Sequence, residues 1–282
     1  MPYTDSSLKE GSYHPAQFDG RLRQAQLKMV IMLEQVDTVC QKHGLNYWLE
    51  GGTLLGAIRH QGFIPWDDDL DIAMPRADYE KFLLVAPGEM PGHLWLQTPQ
   101  TDPGYFSLCV PLKIRDLSSH VLVMHESGNE PYKKGIFLDV FPYDLVKENK
   151  LKRKLTKTRT NRILRLLTWK YSKVPLGHYA KLYKHLARFI PKRLLEASLL
   201  KTIRRANKSK SNFMGYGFDC VNRNIVSHEE IYPLKRAVFE GIWVNIPNKP
   251  EVILTQLYGD YMQLPPEKDR VMKHYRELIP DI

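Results

Sequence analysis

The chain has 282 residues, of which 43% are apolar, 26% charged and 11% aromatic. This is ordinary globular usage, long enough for one large core or a core carrying an insertion, and it excludes a disordered chain. Three scattered cysteines, Cys40, Cys109 and Cys220, fit neither a disulfide framework nor paired zinc spacing, and no uninterrupted apolar run reaches about 18 residues, so a cytoplasmic protein in a reducing compartment is expected.

The elements are read in chain order. Leu22, Ala25, Met29, Leu33, Val36 and Cys40 recur at helical spacing, and the run stops at His43-Gly44, which predicts an amphipathic helix ended by glycine. A short strand is expected over 45–49. Gly51-Gly52-Thr53 follows, with Thr53 expected to cap a short helix over 54–60 that ends on Arg59 and His60. Residues 69–74 alternate acid with apolar, the period of a half-buried strand. A helix over 79–85, a strand over 109–114 and a strong strand over 136–141 complete a core that reads as α+β or α/β over roughly residues 15 to 145.

From 150 to 210 the pattern turns helical. Tyr179, Leu182, Tyr183, Leu186 and Ile190 line one face, Pro191 breaks the run, and Leu195, Leu199 and Ile203 resume it. Residues 151–210 hold 19 Lys or Arg against the single acid Glu196, so this segment carries +18 while the rest of the chain is net negative. The tail offers a strand over "FEGIWVNIP" (239–247), a helix over 251–258 and a turn-rich "YGDYMQLPP" (258–266). The expected domains are a core over 1–146, a basic helical insertion over 147–211 and a segment over 212–282 that completes the core.

"PWDDDLDIAM" (65–74) packs four aspartates into five positions. On a strand, Asp69 and Asp71 share a face while Leu70 and Ile72 face the core. Two unit charges about 4 Å apart repel by roughly 1 kcal/mol in water and roughly 4 kcal/mol near a protein surface, so a cation is expected beside them. A hard divalent ion, Mg²⁺ or Mn²⁺, suits all-oxygen ligands, and Asp139 in "IFLDVF" is the candidate third acid. The plain alternative is an acidic turn that only solvates a strand entry. A calcium loop is ruled out, because its glycine position holds Ile72 and its final glutamate position holds Asp78. Upstream, Gly51 and Gly52 lack the side chains that would keep a phosphate from the backbone, and the amides after Thr53 can face an anion. A glycine turn opening a helix before a strand with alternate acids points to metal-assisted transfer of a phosphate-bearing group.

"YWLEGGTLLGAIRHQGFIPWDDDLDIAMPRADYEKF" (47–82), "KIRD" (113–116), "GIFLDVFPYD" (135–144) and "YGDYMQLPP" resemble the LicD family of phosphotransferases, the bacterial choline-phosphate transferases whose animal relatives are fukutin and its related protein. The resemblance implies a nucleotidyltransferase-like fold, a small mixed sheet flanked by helices. It also implies Asp69, Asp71 and Asp139 as metal ligands and catalytic acids. The expected reaction moves phosphocholine from CDP-choline to a sugar hydroxyl on a surface glycan, with release of CMP. Asp139 would orient or deprotonate that hydroxyl; Gly51, Gly52 and Thr53 would cradle a phosphate, and Arg59, His60 and Lys113 are the candidate cationic contacts. Trp66 reads as a loop anchor ahead of a choline-binding ring, and nothing in the sequence assigns Arg270 or His274 a role.

Other CDP-linked donors, an NTP donor, or a non-catalytic metal-binding module are the alternatives. The basic segment is expected to contact an anionic membrane surface, a sensible place for a lipid-linked acceptor, and no nucleic-acid partner is expected because no stacking platform interrupts it.

Overall fold

The computed structural model describes residues 20–107, 109–124, 126, 128–171 and 189–281. The first helix, α1 (Arg21–His43), buries the expected apolar stripe and ends at Gly44 in the left-handed conformation. Strand β1 is confined to Trp48–Leu49, and helix α2 spans Gly51–His60. Strand β2 (Asp71–Pro75) runs directly into helix α3 (Arg76–Val85). Strands β3 (Leu94–Gln97), β4 (Leu112–Asp116), β5 (His120–Val123) and β6 (Ile136–Leu145) follow. Of these, β3 and β5 had no forecast, and β4 lies three residues later than the expected strand.

Strand β6 organises the sheet. Nine of its ten residues are buried, as a near-continuous apolar run should be when both faces are covered. It pairs parallel with β2 along one edge and antiparallel with β4 along the other, and β1 and β3 extend the sheet outward. Asp139 donates its N–H to Leu70 O, so odd-numbered residues bond towards β2 and even-numbered ones towards the opposite edge. Pro142, which has no N–H to give, falls where that edge changes partner, between the last β4 pair at Val140 and the first pair with the next strand at Tyr143.

Two basic helices come next, α4 (Lys150–Tyr171) and α5 (Lys192–Asn207). Leu195, Leu199 and Ile203 pack with Ile163, Leu164 and Leu167 of α4 into a small second core. The expected stripe from Tyr179 to Leu186 lies outside the described residues. No described helix is long and apolar enough to cross a membrane. The chain then returns to the sheet through β7 (Phe213–Tyr216), paired to the end of β6, and β8 (Ile225–Ser227). A short helix α6 (His228–Ile231) precedes strands β9 (Lys235–Phe239) and β10 (Ile242–Ile246).

The single strand expected over 239–247 is therefore a hairpin. Its two-residue turn, Glu240-Gly241, has positive φ at both positions, the twist that tight hairpins favour. Glu240 tolerates it because its carboxylate is tied to Arg23 and to the Phe63 N–H. Helix α7 (Pro250–Tyr258) matches the forecast within a residue, and β11 (Tyr275–Ile279) closes the chain on β5.

Arg76 fastens α3 to β6 and to the loop that follows β7. Its guanidinium donates to both oxygens of Asp144 on β6, at 2.7 and 3.1 Å, and to both of Asp219, at 2.6 and 2.8 Å. Asp144 is fully buried and also accepts from Asn207 Nδ2 and the Phe218 N–H. Replacing Arg76 with Met would strand two carboxylates; a loss of about 3–5 kcal/mol in urea unfolding is expected, as for other broken buried pairs.

Candidate active site

The acids meet at one end of the sheet because of strand register. Asp71 of β2 pairs with Asp139 of β6, and Asp139 pairs on its other side with Lys113 of β4. Residues in register share a face, so two carboxylates and an ammonium stand in one row across three strands. Lys113 Nζ donates to both Asp139 oxygens, at 2.5 and 2.8 Å, and lies over the Phe137 ring. Burial pulls the Lys113 pKa below its ordinary value, with the charge of Asp139 opposing that pull. The cation expected to meet substrate is thus engaged by one of the acids.

Asp69 lies just ahead of β2, but Leu70 and Ile72 on either side of the alternation are fully buried, as the period-two pattern required. Its nearest cation is His274, whose Nδ1 is 3.4 Å away. Asp68 is built differently from its neighbours. It is buried and accepts the N–H groups of Lys273, His274 and Tyr275 at 3.2, 2.9 and 2.7 Å, plus the His274 ring at 3.0 Å. Burial works to raise its pKa, yet the bonds from His274 and the backbone hold it below the usual carboxylate value. His274 is lifted to about 10: burial opposes its charge, and Asp69 and Asp68 outweigh that.

Asp67 and Asp71 have no such partners. Among the described residues neither side chain accepts a hydrogen bond or forms an ion pair. Burial, then the charge of Asp69, pushes both well above the ordinary aspartate value. Two unpaired carboxylates of this kind fit a hard cation by their chemistry, although no group of three or more His, Cys, Asp or Glu among the described residues is arranged to hold one.

The glycine bend packs against these two acids. Gly51 has a φ of +54°, and a Cβ there would sit 3.3 Å from an Asp71 oxygen; one on Gly52 would sit 2.9 Å from an Asp67 oxygen. The room left by the missing side chains is taken by carboxylates rather than left open for a phosphate. Both glycines lie inside α2, and the N-cap is Glu50, not Thr53. The Thr53 hydroxyl instead accepts the Asp71 N–H at 2.8 Å, locking the start of β2 to the helix. At the far end of α2, Arg59 donates to the Tyr261 carbonyl at 2.7 Å and to His60 Nε2, and its charge reaches Asp67. Trp66 carries the Arg270 guanidinium over its ring at 5.5 Å, which supports the anchoring role.

Sequence reasoning passed over two residues here. Glu50 is buried, and accepts Trp48 Nε1 and the hydroxyls of Tyr143 and Tyr216 at 3.1, 2.9 and 3.1 Å. Its position directly before the glycine pair was the available signal. His274 lies some 200 residues from the acids it touches, and no local pattern marks it.

The adjacent aspartates 67 and 68 should respond in opposite directions to mutation. Asp68→Ala leaves buried N–H groups unpaired and is expected to cost about 3 kcal/mol or more, at roughly 1.5–3 kcal/mol per charged hydrogen bond. Asp67→Asn removes a buried charge whose repulsion from Asp69 and Asp68 outweighs its attraction to the nearby cations, and is expected to hold or raise stability; both are checked by urea unfolding.

Residues 44–99 match the family described as LicD/FKTN/FKRP, nucleotidyltransferase domain. Over 272 residues the chain is 31% identical to the lipopolysaccharide cholinephosphotransferase LicD of Haemophilus influenzae, covering 91% of this chain and 97% of that protein. It is also 41% identical over 71 residues to the ribitol 5-phosphate transferase FKRP of Mus musculus, covering 25% of this chain and 13% of that one. Against the human FKRP the identity is 56% over 36 residues, 13% of this chain and 7% of the relative.

Proposed function

The chain belongs to the LicD/FKTN/FKRP family and is a phosphotransferase, and on that premise we propose that it moves phosphocholine from CDP-choline to a sugar hydroxyl of a cell-surface glycan such as lipopolysaccharide. The single observation that carries this reading is the near full-length likeness to a lipopolysaccharide cholinephosphotransferase. The acceptor oxygen attacks the choline-bearing phosphorus, the bond to the bridging oxygen breaks, and CMP leaves with the bridging oxygen and its electron pair. The hydroxyl proton passes to a base.

Asp69 and Asp71 are the residues proposed to hold Mg²⁺ or Mn²⁺. When bound, such an ion would neutralise charge on the diphosphate oxygens. The unpaired state of Asp71 supports this pairing, and the Lys113 bond to both oxygens of Asp139 argues that Asp139 serves as the acceptor-orienting base more than as a third ligand. Lys113 holds that carboxylate in place through both of its oxygens. The first-turn amides of α2, at Gly51 and Gly52, are the helix-terminal donors proposed to face the donor phosphates, and Arg59 adds positive charge at the other end of the helix. His274, held by Asp68, keeps Asp69 in place.

The matches to ribitol 5-phosphate transferases favour a second reading, the same chemistry on a different CDP-linked donor. A donor screen with CDP-choline, CDP-ribitol and nucleoside triphosphates, with Mg²⁺ or Mn²⁺ present and CMP release as readout, separates the two. Turnover with CDP-choline is expected; turnover only with CDP-ribitol would replace the choline reading.

Asp71→Asn is expected to abolish CMP release while leaving the unfolding transition intact, since it removes charge without adding bulk. Full turnover of that variant with Mg²⁺ would dismiss the metal-pair assignment.

A further inference from the structure

A cavity of about 240 Å³ lies between the start of α4 and the β7–β8 edge, away from the row of acids. Lys150, Arg153, Lys154, Lys157 and Arg223 line it, and no Asp or Glu does. The four α4 residues are spaced i, i+3, i+4 and i+7, so one helix face delivers four like charges to the same opening. That spacing makes the charges repel.

None of these five cations forms an ion pair among the described residues. Lys157 Nζ donates to the carbonyls of Tyr216, Gly217 and Cys220 at 3.2, 2.8 and 2.6 Å, and Arg153 donates to the carbonyls of Lys147 and Glu148. The acids nearest Lys157, Asp219 and Asp144, are both engaged by Arg76. The rest of the lining combines apolar Val146, Phe218 and Ile225 with the uncharged polar Asn222 and Asn224. A small opening with a cationic ring and neutral polar donors suits a phosphate-bearing head group and is too small for a nucleic-acid duplex.

We propose that this cavity is a binding site for the phosphate or diphosphate group of a small anionic ligand, separate from the acidic cleft. It is also close to that cleft. The Tyr216 ring lines the cavity while its hydroxyl donates to Glu50, the residue immediately before Gly51. The Tyr216–Glu50 hydrogen bond therefore links the cavity to the glycine bend. The site stands whether or not the transfer reaction is as proposed, because it rests on α4 and the β7–β8 edge alone.

The test is calorimetric titration of the full chain with inorganic pyrophosphate in low salt, with EDTA present so that no divalent ion contributes. Saturable one-to-one binding is expected, weakened roughly tenfold or more in K150Q/K154Q/R223Q, whose side chains carry no described bond of their own. The variant K201Q/R204Q/R205Q removes three charges from the exposed side of α5 and is expected to keep wild-type affinity, as is Asp71→Asn. Equal affinity of K150Q/K154Q/R223Q and wild type, an equal loss in the α5 variant, or a loss confined to Asp71→Asn would overturn the proposal.

Sedimentation with vesicles of phosphatidic acid and phosphatidylcholine then identifies the source of the phosphate. Sedimentation that pyrophosphate reverses assigns the site to a lipid head group. Absence of sedimentation, with pyrophosphate bound, assigns it to a soluble phosphate ester.

Discussion

Negative charge crowded onto one end of a buried sheet is the constraint around which this molecule is built. Asp67, Asp68, Asp69, Asp71 and Asp139 stand within reach of one another's charge, and each is handled differently. Asp139 takes an ammonium, Asp68 takes three backbone N–H groups and an imidazole, and Asp69 takes the edge of that same imidazole. Asp67 and Asp71 accept no side-chain hydrogen bond and form no ion pair among the described residues. A fold that pairs three of its five acids leaves the other two in the field of their neighbours, which raises the cost of ionising them.

The neighbouring elements follow from that constraint. Gly51 and Gly52 stand where a side chain would press on carboxylate oxygens. Thr53 faces inward to hold the Asp71 amide, which sets the distance between helix and strand. The chain beyond residue 270 must return across the molecule, since Asp68 is satisfied only by backbone that lies about 205 residues later. The C-terminal segment is thus part of the site's electrostatics even though its β11 joins a separate two-stranded sheet.

The basic helical segment answers a different part of the same charge balance. The basic side chains of α4 and α5 form no ion pair with the acids of the cleft among the described residues; the two helices pack on their own small core and meet the sheet through Asn207, which donates to Asp144 beside Arg76, and through β7. Opposite fields are thereby held apart by Tyr216, Tyr143 and Glu50, whose hydroxyl-to-carboxylate bonds form the partition. Had the two fields been allowed to collapse together, the lysines would have neutralised the aspartates and left neither able to hold a charged ligand.

Local pattern was enough to find α1, α2, α3, β2 and α7, which carry a period of 3.6 or 2 and stop near a glycine or a proline, and to find β6 as a continuous apolar run, although β6 continues through Pro142 to Leu145 where the pattern placed its end at 141. It failed at β9 and β10, where a glutamate in the left-handed conformation hid the turn, and at the short strands β3, β5, β7 and β8, which are too brief to show a period. The acids of 67–71, the glycine pair and Asp139 could all be named from the sequence, since charge placed beside apolar alternation needs no fold to be conspicuous. What only tertiary structure decided is how that charge is partnered: that Lys113 belongs to Asp139, that the glycine space belongs to carboxylates, and that His274 belongs to Asp68 and Asp69. Those pairings depend on strand register and on a chain return of some 200 residues, and a one-dimensional pattern holds information about neighbours along the chain, not about neighbours across a sheet.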